Sequence, residues 1–187
     1  MELIFVLDGR TFEGRLIEVA REVAPFADKI WLRLKNEADL FIYKTACSLR
    51  RALPESFLIL STRGDIALAA GFQGVHLGEN HPSPQAVKSL FPSLLVGYSA
   101  HSAEECEEVT GADYYTLSPL FETAKKRPVL GLVDAPCQNV YALGGITRQT
   151  APLLQGHGYK GAAGISLYNE IREVSAILKQ ITEVSLF

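Results

Sequence analysis

Cysteine is scarce in this sequence of 187 residues, which contains only Cys47, Cys106 and Cys137. A disulfide framework needs an even set of cysteines, and a zinc site usually draws on closely spaced pairs. These three are odd in number and far apart along the chain. We therefore expect reduced thiols, in the core or near the surface, and neither kind of site.

An excess of positive charge is also lacking, because 18 lysines and arginines stand against 21 aspartates and glutamates, for a formal charge of -3. A phosphodiester backbone needs clustered cations, so we expect no nucleic-acid partner, whereas a small anionic ligand is compatible with this balance. No apolar run approaches the roughly 20 residues that span a bilayer, and the chain opens on a strand-like segment rather than a leader peptide. We predict a cytoplasmic protein without a membrane partner, and composition leaves open whether it forms a homo-oligomer.

Eight short apolar or β-branched runs recur along the chain, and segments with helical periodicity lie between most of them. This alternation predicts a parallel sheet covered by helices, and eight units allow the sheet to close as a (β/α)8 TIM barrel. An open doubly wound sheet is the alternative. We predict one α/β domain over residues 1–187, with strands at Leu3–Leu7, Lys29–Leu34, Phe57–Leu60, Gly74–Leu77, Leu94–Tyr98, Tyr114–Leu117, Asn139–Leu143 and Gly161–Ser166.

The predicted barrel must be compact, because such barrels usually take about 250 residues. The saving lies between the sixth and seventh strands, where the segment from Glu122 to Cys137 contains Pro128, Gly131 and Pro136 and shows no helical stripe. The sequence therefore predicts that the sixth helix is missing or reduced to a turn.

Two helix starts carry capping signals. Ser83 before Pro84 is typical of an N-cap followed by the first helical residue. Ser102 and Glu105 have the spacing of a capping box, in which each side chain satisfies the other's backbone donor. Both starts follow predicted strands closely, as a βα unit requires.

Polar side chains at the strand ends are candidates for the site, because the carboxyl ends of the strands form the active-site face of a TIM barrel. Arg33 and Lys35 lie two positions apart, so they share one face of the second strand. On an exposed strand they would be solvated charge, but in a parallel barrel a buried cation needs an anionic partner. We predict that Arg33 and Lys35 bind an anionic ligand.

Glycine turns follow the last two predicted strands, and we expect a helix after each turn. Free backbone amides and helix N-termini at this place form the usual phosphate site of such barrels. Glycine allows a phosphate to approach the amides, and a serine hydroxyl can add a donor. The predicted phosphate-binding residues are Gly144, Gly145, Gly164, Ile165 and Ser166.

Other polar residues fit two interpretations. His76 is either an interior histidine with a satisfied hydrogen bond or a site residue, because structural networks also hold titratable groups. His157 lies between two glycines and is expected in a solvated loop. Lys125 and Lys126 are either solubilising loop residues or a source of cations for the site.

Taken in order, these positions resemble the thiamine phosphate synthase and TenI family over nearly the whole chain. The resemblance implies a TIM barrel, a role in thiamine synthesis, and a thiazole phosphate bound through the last two glycine turns. It rests on several segments: Ile30-Trp-Leu-Arg-Leu-Lys35, Arg63-Gly-Asp-Ile-Ala-Leu68, Gly74-Val-His-Leu-Gly78, Val96-Gly-Tyr-Ser-Ala-His-Ser102, Gly111-Ala-Asp-Tyr114, Leu143-Gly-Gly-Ile146 and Gly164-Ile-Ser166.

The chain departs from the synthase pattern at the metal site. The resemblance implies that synthases displace diphosphate from a pyrimidine with Mg²⁺ held by aspartates. Here the corresponding segments are Ser61-Thr62-Arg63 and Gly78-Glu79-Asn80-His81, and Trp31 replaces a strand glutamine. We therefore expect no cofactor, with Mg²⁺ needed only if the protein is a synthase.

The chain is closer to TenI proteins, some of which move a proton on a carboxythiazole phosphate. The segment ending in Phe121-Glu122-Thr123 is similar to TenI, but the proton-transferring histidine of that family falls on Pro119. A replacement acid or base must titrate near neutral pH. In order of preference, we propose His81, His101 and Glu79, with Ser99, Thr123 and Lys126 as further substrate contacts.

Three functions follow from these patterns. The first is a TenI-type thiazole tautomerase, in which Arg33 and Lys35 hold the carboxylate. The second is a divergent thiamine phosphate synthase that joins a pyrimidine diphosphate to a thiazole phosphate. The third is a thiazole phosphate carrier or regulator without turnover.

Overall fold

The computed structural model describes residues 1–123 and 128–184. Eight parallel strands close into a barrel in chain order, with β1 paired to both β2 and β8. The TIM-barrel prediction is confirmed, and this closure excludes the open sheet. The strands are β1 (Glu2–Asp8), β2 (Lys29–Arg33), β3 (Phe57–Ser61), β4 (Gly74–Leu77), β5 (Leu95–Ala100), β6 (Tyr114–Leu117), β7 (Val140–Leu143) and β8 (Gly161–Gly164).

The helices are distributed unevenly around the barrel. An α-helix follows each of the first five strands, and the last strand leads through a short 3-10 helix into a long α-helix. The α-helices are α1 (Leu16–Val23), α2 (Asp39–Ala52), α3 (Gly64–Ala69), α4 (Pro84–Leu90), α5 (Ala103–Glu108) and α6 (Ile171–Val184), and the 3-10 helices are Ala151–Leu154 and Ser166–Glu170.

The predicted loss of the sixth helix is confirmed for the described residues 118–123 and 128–139, which contain no helix. The prediction of a helix after the seventh strand is wrong, because only the four-residue 3-10 helix Ala151–Leu154 forms there. Gly156 and Gly158 follow it with φ of +84° and +76°. The helical segment has already ended at Gln155, whose backbone is extended with φ of -62° and ψ of 129°.

The helices bury the apolar stripes that the sequence shows. In α6, Ile171, Val174, Leu178 and Ile181 are all buried against the barrel at helical spacing. None of the helices in the described part of the chain is long and apolar enough to cross a membrane.

Both predicted N-caps are present. The Ser83 hydroxyl accepts from the Ala86 amide at 3.3 Å, and the Ser102 hydroxyl accepts from the Glu105 amide at 3.2 Å. The second half of the predicted capping box differs, because the Glu105 carboxylate accepts from the His101 amide at 2.7 Å and from the Tyr98 hydroxyl.

The barrel interior is filled by side chains that alternate with the outward-facing core. This inner cluster contains Ile4, Val6, Trp31, Ile59, Tyr114, Tyr141 and Ala163. At the amino-terminal end of the barrel, Lys29 forms an ion pair with Glu2, and the Tyr141 hydroxyl donates to the same carboxylate. This network closes that end, so any site on the barrel axis must lie at the other.

The three cysteines are free thiols, but two of them are neighbours in space. The Cys137 Sγ lies 3.8 Å from the backbone oxygen of Cys106, across 31 positions of sequence. Separation along the chain therefore does not measure separation in the fold.

Candidate functional site

Polar side chains ring the carboxyl end of the barrel, which we call the mouth. Alternation along each strand turns Asp8, Arg33, Ser61, Ser99 and Thr116 inward, because each lies two or four residues beyond a member of the inner cluster or a residue packed against it. The strand register pairs Asp8 with Arg33 and Ser99 with Thr116. The mouth is thus built from groups that donate and accept hydrogen bonds above an aromatic interior.

Arg33 already has a protein partner at the mouth. Its Nη1 donates to Asp8 Oδ2 in an ion pair, with side-chain exposures of 19% for Arg33 and 8% for Asp8. The other Asp8 oxygen accepts from the Thr11 amide at 3.0 Å and the Thr11 hydroxyl at 2.9 Å. Arg33 therefore does not lack a carboxylate partner in the protein, because Asp8 balances its charge, and ligand binding by Arg33 stays a prediction.

The electrostatics of this pair favour the charged carboxylate. Burial alone would raise the pKa of Asp8, but the hydrogen bonds from Thr11 and Arg33 lower it below its ordinary value. Asp8 therefore stays ionised at neutral pH and fixes the guanidinium. A guanidinium has five N–H donors, and the one hydrogen bond of Arg33 to the described residues uses a single donor.

His76 lies at the centre of a buried hydrogen-bond chain. Its Nδ1 is 2.9 Å from the Tyr114 hydroxyl, and its Nε2 is 2.8 Å from the Ser99 hydroxyl. The residue is 2% exposed. The interior interpretation of His76 therefore holds, and its second partner, Ser99, extends the chain to the mouth.

Trp31 covers this chain from the side of β2. Its ring stacks on His76 with centroids 3.8 Å apart, and its Nε1 donates to the Ser61 hydroxyl at 2.8 Å. Trp31, which stands where the resemblance implies glutamine, thus fixes one face of the imidazole and the Ser61 hydroxyl together.

Thr116 is the exception to the satisfied network. It is fully buried, and its hydroxyl has no hydrogen-bond partner within the described ranges. Buried polar atoms are nearly always paired, so this hydroxyl marks a place where the interior is incompletely satisfied.

Of the three candidate acid–base residues, His101 lies deepest. It is half-buried, and its Nδ1 lies 3.0 Å from the Ser118 carbonyl oxygen, which can only accept. In a neutral imidazole the proton is therefore assigned to Nδ1, which also lies 3.4 Å from the Ser118 hydroxyl, and this leaves the Nε2 lone pair available. His101 directly follows Ala100, the last residue of β5.

The other two candidates lie on the rim. His81 and Glu79 are exposed in the turn after β4, where the His81 Nδ1 lies 3.1 Å from its own turn's Gly78 carbonyl oxygen. Glu79 accepts from the side-chain amide of Asn80 at 3.3 Å. The structure thus gives these groups no buried environment.

The remaining predicted contacts are dispersed. Lys35 is exposed and lies two residues past the end of β2, so it does not share the strand face with Arg33 as predicted. Thr123 is exposed beside Gly144, and Lys126 lies outside the described residues. His157 is half-buried, with its Nδ1 2.7 Å from Asp134 Oδ1, rather than simply solvated.

The two glycine turns lie side by side, as predicted. The register pairs Leu143 of β7 with Ala163 of β8, so Gly144 and Gly145 follow at the level of Gly164 and Ile165, and Ser166 comes one residue later. Ser166 is exposed there. No described residue accepts a hydrogen bond from the Gly145 amide.

Packing provides another reason for glycine in the first turn. Gly144 and Gly145 have φ of +92° and +68°, and a Cβ on Gly145 would lie 2.6 Å from the Glu122 carbonyl oxygen and from the Phe121 Cβ. Glycine at these two positions lets the loop after β6 pack against the turn, whether or not a ligand also binds there. Ligand access was therefore not the sole cause of this glycine pair.

A threonine rather than a helix closes this turn. The Thr150 hydroxyl donates to the Gly145 carbonyl at 2.8 Å and accepts from the Thr147 amide at 2.9 Å. The helix N-terminus on which the phosphate prediction partly rested is thus absent after β7, where residues 144–150 form no helix. An anion at this turn would meet individual amides and hydroxyls.

Two surface hollows lie away from the mouth. One is lined by residues that include Phe26, Tyr168 and Arg172, and the other by residues that include Phe57 and Asp113. Neither contains a predicted site residue. The chemistry of the mouth therefore depends on its individual polar groups.

Sequence reasoning missed Asp8 and Tyr114 as functional partners. Asp8 carried a signal, because it ends the first strand just as Arg33 ends the second. Tyr114 carried a weaker signal, because the sequence does not show which face of its strand points into the closed barrel.

Comparison with known proteins gives a consistent result. A family model described as "Thiamine monophosphate synthase" matches residues 3–168. A provisionally named thiamine-phosphate synthase 2 of Aquifex aeolicus is 40% identical over 157 residues, covering 75% of this chain and 82% of that protein. The thiamine-phosphate synthase of Syntrophomonas wolfei is 30% identical over 201 residues, covering 97% and 95%.

Solved structures show the same similarity. A thiamine phosphate pyrophosphorylase from Pyrococcus furiosus superposes with a TM-score of 0.80 at 26% identity, over 96% of each chain. The similarity therefore extends over the whole barrel, including the mouth.

Proposed function

Because the chain belongs to the thiamine monophosphate synthase family, we propose that it is a transferase of thiamine synthesis, which joins a pyrimidine diphosphate to a thiazole phosphate and releases diphosphate. The names of its relatives favour this reaction over the tautomerase that the sequence motifs suggested. The structural observation that supports it most is the Arg33 guanidinium, held at the mouth by Asp8.

Arg33 is suited to bind a phosphate or diphosphate oxygen. Asp8 orients the guanidinium, and the fork of remaining N–H donors matches the geometry of such an anion. As diphosphate leaves, negative charge grows on its oxygens, and a fixed cation stabilises that charge without reorganising. Lys35, exposed beyond the same strand, adds positive charge at the rim.

The thiazole phosphate is assigned to the adjacent glycine turns. The Gly145 amide and the exposed Ser166 hydroxyl supply donors on these two neighbouring turns. Each is a single hydrogen bond, so the site depends on several such groups acting together. This division leaves Arg33 for the diphosphate and the β7–β8 side for the acceptor substrate.

The metal ion that the family resemblance implies does not fit the residues present. In the described ranges, no group of three or more His, Cys, Asp or Glu side chains is arranged to hold a metal ion. The end of β3 and the turn after it offer the hydroxyls of Ser61 and Thr62, and the turn after β4 offers one exposed carboxylate, Glu79, whereas Mg²⁺ favours several oxygen ligands that include carboxylates. We therefore assign charge stabilisation to Arg33.

A second candidate is the tautomerase, favoured by the position of His101. A half-buried imidazole with its proton fixed on Nδ1 presents the Nε2 lone pair as a general base. Pro119 cannot take this role. His101 therefore replaces His81 as the preferred acid–base residue for that reaction, ahead of Glu79 as well.

The test is turnover with defined substrates. We expect the protein to release diphosphate when it is given the pyrimidine diphosphate and thiazole phosphate, with little change when EDTA replaces Mg²⁺. The double variant Asp8→Asn/Arg33→Gln removes the ion pair without leaving one charge unpaired, and we expect at least a roughly 100-fold lower kcat. Arg15→Gln, in an exposed pair with Glu18, is the matched control and should keep full activity.

Other outcomes would decide between the alternatives. Isomerisation of a carboxythiazole phosphate without diphosphate release would favour the tautomerase, and His101→Gln should then abolish it. Binding of thiazole phosphate without either reaction would identify a carrier or regulator.

A further inference from the structure

The Tyr114 hydroxyl has a single way to satisfy its hydrogen. The residue is 3% exposed, and in the described part of the chain its hydroxyl meets only His76 Nδ1, at 2.9 Å. If Tyr114 donates to Nδ1, the hydroxyl is satisfied. If Nδ1 carried the proton instead, the phenolic hydrogen would be buried without an acceptor, which is unfavourable.

His76 then has only one proton to place. Burial, with a smaller contribution from the Arg33 charge, lowers the pKa of His76 to about 3, so the imidazole is neutral at physiological pH. A neutral imidazole has one N–H donor and one acceptor nitrogen. With Nδ1 accepting from Tyr114, the proton lies on Nε2 and is donated to the Ser99 hydroxyl at 2.8 Å.

The surrounding residues hold this geometry in place. Trp31 stacks on the imidazole at 3.8 Å and restricts its rotation. Gly97 provides the space, because a Cβ there would lie 2.5 Å from His76 Nδ1 and 2.4 Å from the Tyr114 hydroxyl. The pair is therefore confined on two sides.

We infer that Tyr114, acting through His76, fixes Ser99 as a hydrogen-bond donor toward the mouth. Ser99 accepts from Nε2, so its own hydrogen is left for a ligand, and Ser99 is half-buried where a ligand can reach it. The ligand must then present an acceptor atom at this position. Tyr114 and His76 are positioning residues that determine specificity, and an analogue with an N–H group there is rejected.

This inference rests on the proposed function only for the identity of the acceptor. Under that function the acceptor is an anionic oxygen of the diphosphate substrate or product. The direction of the hydrogen bonds from Tyr114 to Ser99 follows from the protein alone, so the two can be tested separately.

The first experiment reads the tautomer directly. In two-bond ¹H–¹⁵N spectra of the full chain at neutral pH, His76 should appear as the neutral Nε2–H form. Tyr114→Phe should convert it to the Nδ1–H form or a mixture, whereas Ser99→Ala should leave it unchanged. Tyr115→Phe is the matched control, because this neighbouring tyrosine faces outward and donates to the Val109 carbonyl. A His76 that is Nδ1–H or charged in the parent protein overturns the inference.

The second experiment measures binding of inorganic diphosphate by calorimetry. Ser99→Ala and Tyr114→Phe should each weaken binding roughly fivefold, the equivalent of one ordinary hydrogen bond. The double variant should be no weaker than Ser99→Ala, because both changes remove the same donor. Tyr115→Phe should bind normally. If the losses of affinity in the two single variants add up in the double variant, Tyr114 does not act through Ser99 and the inference is wrong.

Failure of the proposed function has a different signature. If the parent protein shows the Nε2–H tautomer but does not bind diphosphate, the assigned ligand is wrong while the tautomer control stands. If diphosphate binds with the other tautomer, the inference is wrong while the proposed function stands.

Discussion

Two arcs of the barrel wall differ in how they support the mouth. From β1 to β5 every strand is followed by an α-helix, and side chains such as Ser83 and Ser102 cap the helix starts. Around β6 and β7 the described residues form loops and one 3-10 turn. We call these the helical arc and the loop arc.

In the loop arc, backbone packs directly on backbone. The Leu120 amide donates to Leu143 O at 3.0 Å, and the Phe121 amide donates to Gly144 O at 3.1 Å. Such close approach leaves no room for a Cβ at Gly144 or Gly145. The comparison teaches that a barrel can omit helices where adjacent loops form hydrogen bonds between their backbone groups. Positions in such closely packed loops then tolerate fewer substitutions.

The largest expected effect would break the loop arc. Gly145→Ala should lower the free energy of unfolding by about 2–4 kcal/mol, because its φ of +68° disfavours alanine and its Cβ would meet the Glu122 carbonyl at 2.6 Å. Urea unfolding at pH 7 measures this. Gly156→Ala is the matched control, since it has φ of +84° with nothing within 4 Å, and should lose only about 1 kcal/mol. Equal losses would mean that loop contact does not hold this arc together.

The next effect tests the helical arc through its ion pair. Asp8→Asn should cost about 1–3 kcal/mol at pH 7, because Arg33 loses its partner in a mostly buried position. The pKa of Asp8 is lowered in the folded state, so its contribution is complete above the ordinary aspartate pKa of about 3.9 and is lost as pH falls through the lowered value.

The difference between parent and Asp8→Asn should therefore shrink as unfolding is measured from pH 7 toward pH 3. Glu18→Gln, which removes an exposed i,i+3 partner of Arg15, should cost less than about 0.5 kcal/mol. A difference that stayed constant with pH would show that the carboxylate charge is not what stabilises the site.

The smallest effect sharpens the comparison at a helix start. Ser102→Ala should cost about 1 kcal/mol, because the Glu105 amide loses its cap at 3.2 Å. Thermal unfolding of this variant and of Ser93→Ala, an exposed loop serine, would separate the cap from a general serine effect. If the two variants unfold at the same temperature, the cap does not contribute to the stability of α5, and packing alone accounts for it.

The sequence predicted the helical arc better than the loop arc for a physical reason. Strand and helix periodicities, and the serines at the caps, are local features that each segment carries by itself. The missing sixth helix was visible as prolines and glycines, but the missing seventh was not. There Pro152 resembles a helix start, and only the extended backbone at Gln155 shows that the helix ends after one turn.

The sequence indicated which polar side chains face the barrel interior, but it did not indicate their partners. Alternation placed Arg33 and His76 on inward faces, as observed. Their partners, Asp8 and Tyr114, come from other strands, and the register between strands is a property of the closed barrel. Local pattern can indicate that a charge is buried, but the group that balances it depends on tertiary structure.

The closed amino-terminal end of the barrel has a kinetic consequence. Lys29, Glu2 and Tyr141 fill that end with an ion pair and a hydrogen bond, and the aromatic interior lies directly above them. Molecules can therefore enter and leave only through the opposite opening. For the proposed transfer, a bound product blocks the route of the next substrate, so product should inhibit competitively.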